Sequence, residues 1–280
     1  MSKGQALLKG KPGAKADFSD SEVMTLMFAQ DFIPYPGETQ YLGYMRANHH
    51  REFPKLVSQS QYNRRARGLR HLVEWLRREW LVELGVSEPK RLLVDTKPIP
   101  VLGYKRTKRH SAFAGSAAYG HCAARQLNYF GYKLVMLTTL DGLPVVYDLV
   151  AANTDEREAA EVVLQRVRDC DIFGDKGFIG DDWQADIRHR TGNRLWTAKR
   201  ANQFLQNPPE FDRLLNSIRE HIEGTFHCLQ NTGRNIERLL AKTVQGLCTR
   251  VILKVACLVL KHLLRRRFAI DVQSFQLLPI

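Results

Sequence analysis

The chain of 280 residues is long enough for one large domain or two smaller ones, and its 44% hydrophobic and 25% charged residues are typical of globular proteins. Five scattered cysteines without a CxxC pair argue against a disulfide scaffold and favour free thiols in a reducing compartment. The most apolar stretch, residues 251–264, is interrupted by Lys254 and Lys261 and is too short to span a bilayer. The net charge of +13 is unusually high and indicates a polyanionic partner, most commonly nucleic acid.

The positive charge is concentrated in two parts of the sequence. Residues 91–130 carry a net charge of +6 and residues 231–280 carry +7, whereas residues 131–230 between them carry −4. Such an order is expected if metal-binding carboxylates lie within a surface that holds phosphates. The alternative explanation is that these lysines and arginines only form solvent-exposed faces and bind no partner.

The first part of the chain has a helical pattern. Residues 1–17 read as a basic, disordered tail. Ser19 and Glu22 then form a capping-box pattern that predicts a helix to about Phe32, because each side chain can satisfy an N–H group at the helix start. Further helical pattern covers about 38–49 and 60–84.

The helix predicted over residues 60–84 is unusually basic. Its arginines are Arg64, Arg65, Arg67, Arg70, Arg77 and Arg78. We therefore predict that residues 18–89 form a small all-α domain that binds DNA. A platform that only packs against other helices is the alternative.

From Arg91 onward the pattern changes to that of strands. Residues 91–95 predict a buried strand that ends in the carboxylate of Asp95, and residues 101–128 predict a long connection. Residues 129–140 and 143–150 are rich in strand-forming residues and meet at Asp141-Gly142, which is typical of a hairpin turn.

The remaining elements alternate between helices and short strands. The predicted helices cover about 155–169, 182–189, 211–229 and 243–267, and the predicted strands cover about 171–174 and 193–198. This order predicts a mixed α/β sheet with flanking helices over residues 90–280.

Two aspartates follow apolar strands. Asp95 follows the first predicted strand and Asp175 follows the strand at residues 171–174, so both should lie at the carboxyl edge of the sheet. Carboxylates brought together repel one another, and a cation relieves the repulsion. Their oxygens suit Mg²⁺ or Mn²⁺. The alternative is that each aspartate merely caps a loop.

A third carboxylate is expected on the helix over residues 211–229. Glu223 lies beside an apolar stripe formed by Ile218, Ile222 and Phe226, so it should point toward the sheet edge rather than into open water. Glu220, three residues earlier, competes for the same role.

At these residues the sequence resembles the DDE transposases of bacterial insertion sequences, most closely insertion sequence family 982. The matching segments are Val94–Pro100 around the first aspartate, Phe130–Leu134, Asp141–Pro144 and Ala152–Asn153 in the central hairpin, Gly174–Gly180 around the second aspartate, Arg219, Glu223 and Phe226 on the third-carboxylate helix, and Arg234–Arg238. The resemblance runs from about Phe18 to Arg267. Asn216 and Gln230 stand where sister groups carry Tyr and Lys. The hairpin-ended DNA intermediate of those sister groups is therefore not carried over to this chain.

The resemblance implies a retroviral-integrase-like, RNase-H-like core in which Asp95, Asp175 and Glu223 are the catalytic residues. These carboxylates would bind two Mg²⁺ ions, for which Mn²⁺ can substitute. The implied reaction is cleavage of double-stranded DNA at transposon ends, followed by strand transfer into target DNA. A homodimer acting on DNA in the bacterial cytosol is also implied.

Other side chains are candidates for contact with DNA. Lys105, Arg106, Lys108 and Arg109 follow Asp95 and are predicted to track phosphates, and Arg219 lies one turn before Glu223. Solvated charge, or pairing of Arg219 with Asp212 or Glu220, is the alternative. Trp183 and Trp196 could stack on a flipped base, but their residue type favours packing in the core.

Two other functions fit the same residues. The first is a hydrolytic nuclease on the same fold, and the second is a catalytically inactive DNA-binding protein. The two basic regions favour the transposase, because strand transfer requires the transposon end and the target to be held together. The presence of all three acids argues against an inactive protein.

Overall fold

The computed structural model describes residues 16–33, 35, 37–104, 109–199, 206–231 and 234–272. The chain divides into two compact units, of which one runs to Gly85 and resumes at Leu229, and the other is Val86–Cys228. None of the described helices is long and apolar enough to cross a membrane.

The helices and strands are numbered along the chain. The helices are α1 (Asp20–Ala29), α2 (Glu38–Asn48), α3 (Gln59–Glu83), α4 (Glu156–Leu164), α5 (Asp181–Thr191), α6 (Pro209–Asn231) and α7 (Val244–Phe268). The strands are β1 (Arg91–Leu102), β2 (Ala118–Cys122), β3 (Leu127–Thr139), β4 (Pro144–Ala151), β5 (Asp171–Gly174) and β6 (Arg194–Thr197).

Capping boxes begin two helices of the first unit. The hydroxyl of Ser19 accepts a hydrogen bond from the N–H of Glu22, whose carboxylate accepts one from the N–H of Ser19, as the sequence predicts. α1 ends at Ala29, three residues before the predicted end. Ser58 and Gln61 form a second capping box that the sequence analysis missed, and it begins α3.

Helix α7 belongs to the same unit as α1, α2 and α3. Its residues Leu253, Ala256 and Cys257 are buried in one apolar core with side chains such as Val23 and Tyr41. We predicted one catalytic domain over residues 90–280, but the contacts group the chain from Leu229 onward with the first 85 residues. The reason is hydrophobic burial, since α7 is apolar on the side that meets α1 and α3.

The second unit is a mixed α/β structure built on one sheet. Its strand order is β2-β3-β1-β5-β6, and β4 also pairs with β3. β3 pairs antiparallel with β1, β2 and β4, whereas β1, β5 and β6 are parallel. Two predictions were wrong here. β1 continues to Leu102 instead of ending at Asp95, because β3 pairs with it along that whole length, and the predicted connection contains β2.

The hairpin between β3 and β4 is confirmed, with Asp141-Gly142 in the turn. Gly142 has φ of 85°, a backbone conformation that favours glycine. The hydroxyl of Thr225 on α6 donates to the carbonyl of Gly142 at 3.0 Å. The hairpin turn and α6 are therefore fixed against each other within this unit.

Helices α4 and α5 pack on the sheet through an apolar core. The buried side chains include Leu92 and Val94 of β1, Ile172 of β5, Val163 of α4 and Ile187 of α5. Because side chains alternate along a strand, Asp95 lies on the other side of β1 from Val94. On that side Lys97 lies over the ring of Phe226 of α6, with 5.6 Å between its Nζ and the ring centroid.

Candidate active site

Asp95 and Asp175 come level with each other where the parallel pairing of β1 and β5 ends. The last parallel pair is Leu93 with Phe173, and each aspartate lies two residues further along its own segment. Gly174 permits this close approach, since a Cβ at that position would lie 2.8 Å from Cγ1 of Val94. The structure therefore brings together the two aspartates that the sequence predicts to meet.

The carboxylate of Asp175 is held by the turn that follows it. Its Oδ1 accepts a hydrogen bond of 2.7 Å from the N–H of Gly177 and caps a single 3₁₀ turn, Lys176–Phe178. Phe178 is only 1% exposed and anchors this turn in the core. Asp175 is therefore a loop cap, as the alternative interpretation proposed, and it also lies beside Asp95.

Asp95 is the most perturbed acid at this edge of the sheet. Burial, together with the negative charges of Asp175 and Glu156, raises the pKa of Asp95 to about 7. A hydrogen bond from the N–H of Thr96 to Asp95 Oδ1, 2.7 Å long, and the positive charge of Arg219 oppose this rise. A divalent cation would relieve the same repulsion.

Glu156 is an acidic neighbour that is not among the residues predicted from the sequence. It is the first residue of α4, directly after the capping residue Asp155. Burial raises the pKa of Glu156, the charge of Asp175 raises it further, and the charge of Lys133 opposes the rise. Its position after a capping aspartate is common at helix starts, so the sequence carries no signal that would single it out.

Glu223 does not point toward the sheet edge, although its sequence position predicts that it does. Its side chain is 62% exposed, and its carboxylate lies 3.9 Å from the guanidinium of Arg219 on the same helix. The stripe beside it is buried as expected, since Ile222 and Phe226 are almost fully buried. Glu220 is exposed as well. Packing of α6 therefore fixes the apolar stripe without turning either glutamate inward.

The donors at this site are carboxylate oxygens, which suit hard divalent cations such as Mg²⁺. Asp95 and Asp175 fit such a cation, because their negative charges repel each other. Among the described residues, neither carboxylate forms an ion pair that would offset this repulsion. No group of three or more His, Cys, Asp or Glu side chains among the described residues is assembled to hold a metal. The two aspartates therefore provide a partial set of ligands.

The predicted DNA-contacting residues are only partly described. Lys105, Arg106 and Lys108 lie outside the described residues, and Arg109 is exposed in a turn. Arg219 is 27% exposed and lies near both Asp95 and Glu223. Neither Asp212 nor Glu220 forms the alternative ion pair with Arg219 within the described chain.

The two tryptophans have different environments. The indole N–H of Trp183 donates to Glu161 at 2.7 Å, and its ring packs on the core beneath α4 and α5. Trp196 is 37% exposed, donates to Asp171 and meets Phe211 edge to face. Core packing therefore accounts for Trp183, whereas Trp196 keeps part of its ring at the surface.

Comparison with known proteins gives the family. A solved structure described as the Mos1 transposase paired-end complex with left transposon end is similar at 13% sequence identity, covering 95% of this chain and 82% of that one, with a TM-score of 0.28. A search of curated proteins found no match. The family model described as the transposase DDE domain matches residues 86–260, more than half of the sequence. The chain therefore belongs to the transposase DDE domain family.

Proposed function

We propose that this protein is the transposase of an insertion sequence of family 982, which cuts DNA at the transposon ends and joins the freed ends to target DNA. The family membership supports a transposase. The main structural support is the placement of Asp95 level with Asp175 at the end of the parallel strands. Two half-buried carboxylates at this edge of the sheet match the place where ligands bind on open α/β sheets.

The strand arrangement supports an RNase-H-like core. A hairpin, β3 and β4, continues antiparallel from β1, and the parallel strands β5 and β6 follow on the other side of β1. β1 is therefore central and carries the first catalytic aspartate, and the neighbouring β5 leads to the second. This placement explains why residues distant in sequence can serve one reaction.

The proposed ligands of the divalent cations are Asp95, Asp175 and Glu223. Bound Mg²⁺ would activate the attacking oxygen and stabilise the leaving oxygen of a phosphodiester. The exposed carboxylate of Glu223 is not fixed by packing, so it can reorient when DNA and metal bind. Arg219, one turn earlier, would contact a DNA phosphate on the same face of α6.

Double-stranded DNA is the proposed partner, at both the transposon end and the target. Basic residues on either side of the acidic part of the chain would hold phosphates, because residues 91–130 and 231–280 carry net charges of +6 and +7. We further propose that two copies act together on DNA, since two transposon ends must be joined to one target.

The decisive experiment separates the transposase from a hydrolytic nuclease. Purified full-length protein is mixed with Mg²⁺, target DNA and pre-cut transposon-end DNA, with Asp95→Asn as the inactive control. Joined products that require Asp95 support the proposal. Cleavage without joining would favour the nuclease, and DNA binding without either reaction would favour an inactive binding protein.

A further inference from the structure

Glu156 lies directly against the turn that holds Asp175. A Cβ built on Gly177 would lie 1.9 Å from Oε2 of Glu156 and 2.9 Å from Oδ1 of Asp175. Both carboxylate oxygens therefore border the same point, which a side chain at residue 177 would occupy. A methyl group at residue 177 would therefore have to displace the carboxylate of Glu156.

The two oxygens are close enough to share one ion. The separation of these two oxygens cannot exceed the sum of their distances to the Cβ position of residue 177. That sum is close to the span of two metal–oxygen bonds of roughly 2.1 Å each, which is the span that one cation bridges. In the described chain Glu156 forms no ion pair within 4.0 Å and accepts no hydrogen bond. A partly buried carboxylate without such a partner beside a second carboxylate is a costly arrangement unless a cation joins them.

The neighbouring acids on α4 are placed differently. Asp155 caps the helix by accepting a hydrogen bond from the N–H of Arg157 at 3.0 Å, and its side chain is exposed. Glu158, two residues after Glu156, is also exposed. Lys133 donates to the carbonyl of Thr154 at 2.6 Å, which places a positive charge near Glu156 without an ion pair to it. Glu156 is therefore placed differently from both of these neighbouring acids.

We propose that Glu156 is a further acidic residue of the active site, and that its carboxylate shares a divalent cation with Asp175. The inference rests on the proposed metal-dependent function and adds a ligand to it. Glu156 lies at the start of α4, so helix packing sets its position before DNA binds, whereas Glu223 lies on the exposed side of α6. The two glutamates would then act at different stages of site assembly.

Binding of the metal alone tests the inference. Mn²⁺ is titrated calorimetrically into the full-length protein without DNA, for wild type, Glu156→Gln and the matched control Glu158→Gln. We expect Glu156→Gln to weaken Mn²⁺ binding at least tenfold, as roughly 10- to 100-fold losses follow even from removing groups that support a metal ligand. The control should bind as wild type does. Wild-type affinity in Glu156→Gln, or an equal loss in the control, would overturn the inference.

Thermal unfolding distinguishes a metal ligand from a residue needed for folding. Without metal, Glu156→Gln should unfold at the wild-type temperature or higher, because it removes a negative charge beside Asp175. With Mn²⁺, it should gain less stability than wild type. A lower unfolding temperature without metal, together with an equal gain from Mn²⁺, would show that Glu156 is only structural.

A second variant tests the same site without changing residue 156. Gly177→Ala places a methyl group where Glu156 Oε2 now lies, so it should also weaken Mn²⁺ binding. In the Glu156→Gln background the same change should have a smaller effect, since the two residues act together. Strictly additive losses would contradict a shared role.

These measurements are independent of DNA cleavage. If wild type binds Mn²⁺ through Glu156 but neither cuts nor joins DNA, the proposed function fails while the assignment of Glu156 stands. If wild type joins DNA and Glu156→Gln binds Mn²⁺ normally, the assignment of Glu156 fails while the proposed function stands.

Discussion

The ammonium of Lys254 lies 2.9 Å from a carboxylate oxygen of Asp31, and these side chains are only 2% and 3% exposed. The pair joins α7 to the turn after α1, across most of the sequence. Charges this deeply buried require one another, because neither is solvated. The pair therefore fixes which part of α7 meets the first helix.

Replacing Asp31 should destabilise the helical unit strongly. We expect Asp31→Ala to lower the free energy of unfolding by about 3–5 kcal/mol, because it removes the carboxylate opposite a buried ammonium. The control is Asp17→Ala, which removes an exposed pair with Lys55 and should cost less than about 1 kcal/mol. Urea unfolding measures both. Equal effects would show that burial of the pair does not matter.

The three proposed ligands should be needed for cleavage but not for DNA binding. Asp95→Ala, Asp175→Ala and Glu223→Ala should each reduce cleavage by orders of magnitude, since each removes a metal ligand and no phosphate contact. Cleavage of labelled end DNA and a gel-shift assay measure the two properties. If Glu220→Ala abolishes cleavage and Glu223→Ala does not, the third ligand is wrong.

The stability of the metal-free protein should fall as the pH rises. The pKa of Asp95 is raised from 3.8 to about 7, mainly by burial, so its neutral form is favoured by folding. This contribution to stability is fully present below the unfolded pKa and is lost as the pH rises through 7. Asp95→Asn should therefore raise the unfolding temperature at pH 8 and have little effect at pH 3.

Metal binding should show the opposite trend with pH. A cation must displace the proton from Asp95, so the affinity for Mg²⁺ should rise from pH 6 to pH 8, by up to about tenfold per pH unit below the pKa. Calorimetric titration at three pH values measures this. A flat profile would mean that Asp95 is ionised throughout this range and that its pKa is not raised.

The salt dependence of DNA affinity should show whether the basic segment after β1 contacts phosphates. Replacing Lys105, Arg106, Lys108 and Arg109 together by alanine should lower the slope of log affinity against log salt by about two to four units, at roughly 0.9 per phosphate contact. The matched control replaces four exposed basic residues of the same unit, Arg166, Arg168, Arg188 and Arg190. If both sets change the slope equally, the segment has no special role.

The arginines of α3 should divide into two classes. Arg65 pairs with Asp20, and both Arg77 and Arg78 pair with Glu74, so these three are engaged within the protein. The other three, Arg64, Arg67 and Arg70, form no carboxylate pair in the described chain. Replacing these three should lower the preference for transposon-end DNA over random DNA, because base contacts supply specificity.

Competition binding with full-length protein measures this preference. The control Arg78→Ala removes an exposed arginine that is paired on its own helix. A drop in preference only for the triple variant places end recognition on α3. Unchanged preference would place recognition in the unit that carries the aspartates.

Several features follow from local sequence alone. The capping box at Ser19, the hairpin turn at Gly142 and the apolar strands before the two aspartates depend on residues that are neighbours in sequence. Each is specified by backbone conformation or by side-chain alternation, which a single segment can express. The sequence therefore predicts the mixed sheet and the meeting of Asp95 with Asp175.

Other features depend on contacts between distant segments, which no local pattern encodes. β1 extends past Asp95 because β3 pairs with it, and α7 joins the first helices because its buried residues, including Lys254, find partners there. Glu156 comes to Asp175 only because α4 packs on the sheet beside the glycine turn. Glu223 stays exposed because burial of its neighbours on α6 sets the rotation of that helix. Tertiary packing decides these positions, since hydrophobic burial and charge pairing act between residues that the sequence keeps far apart.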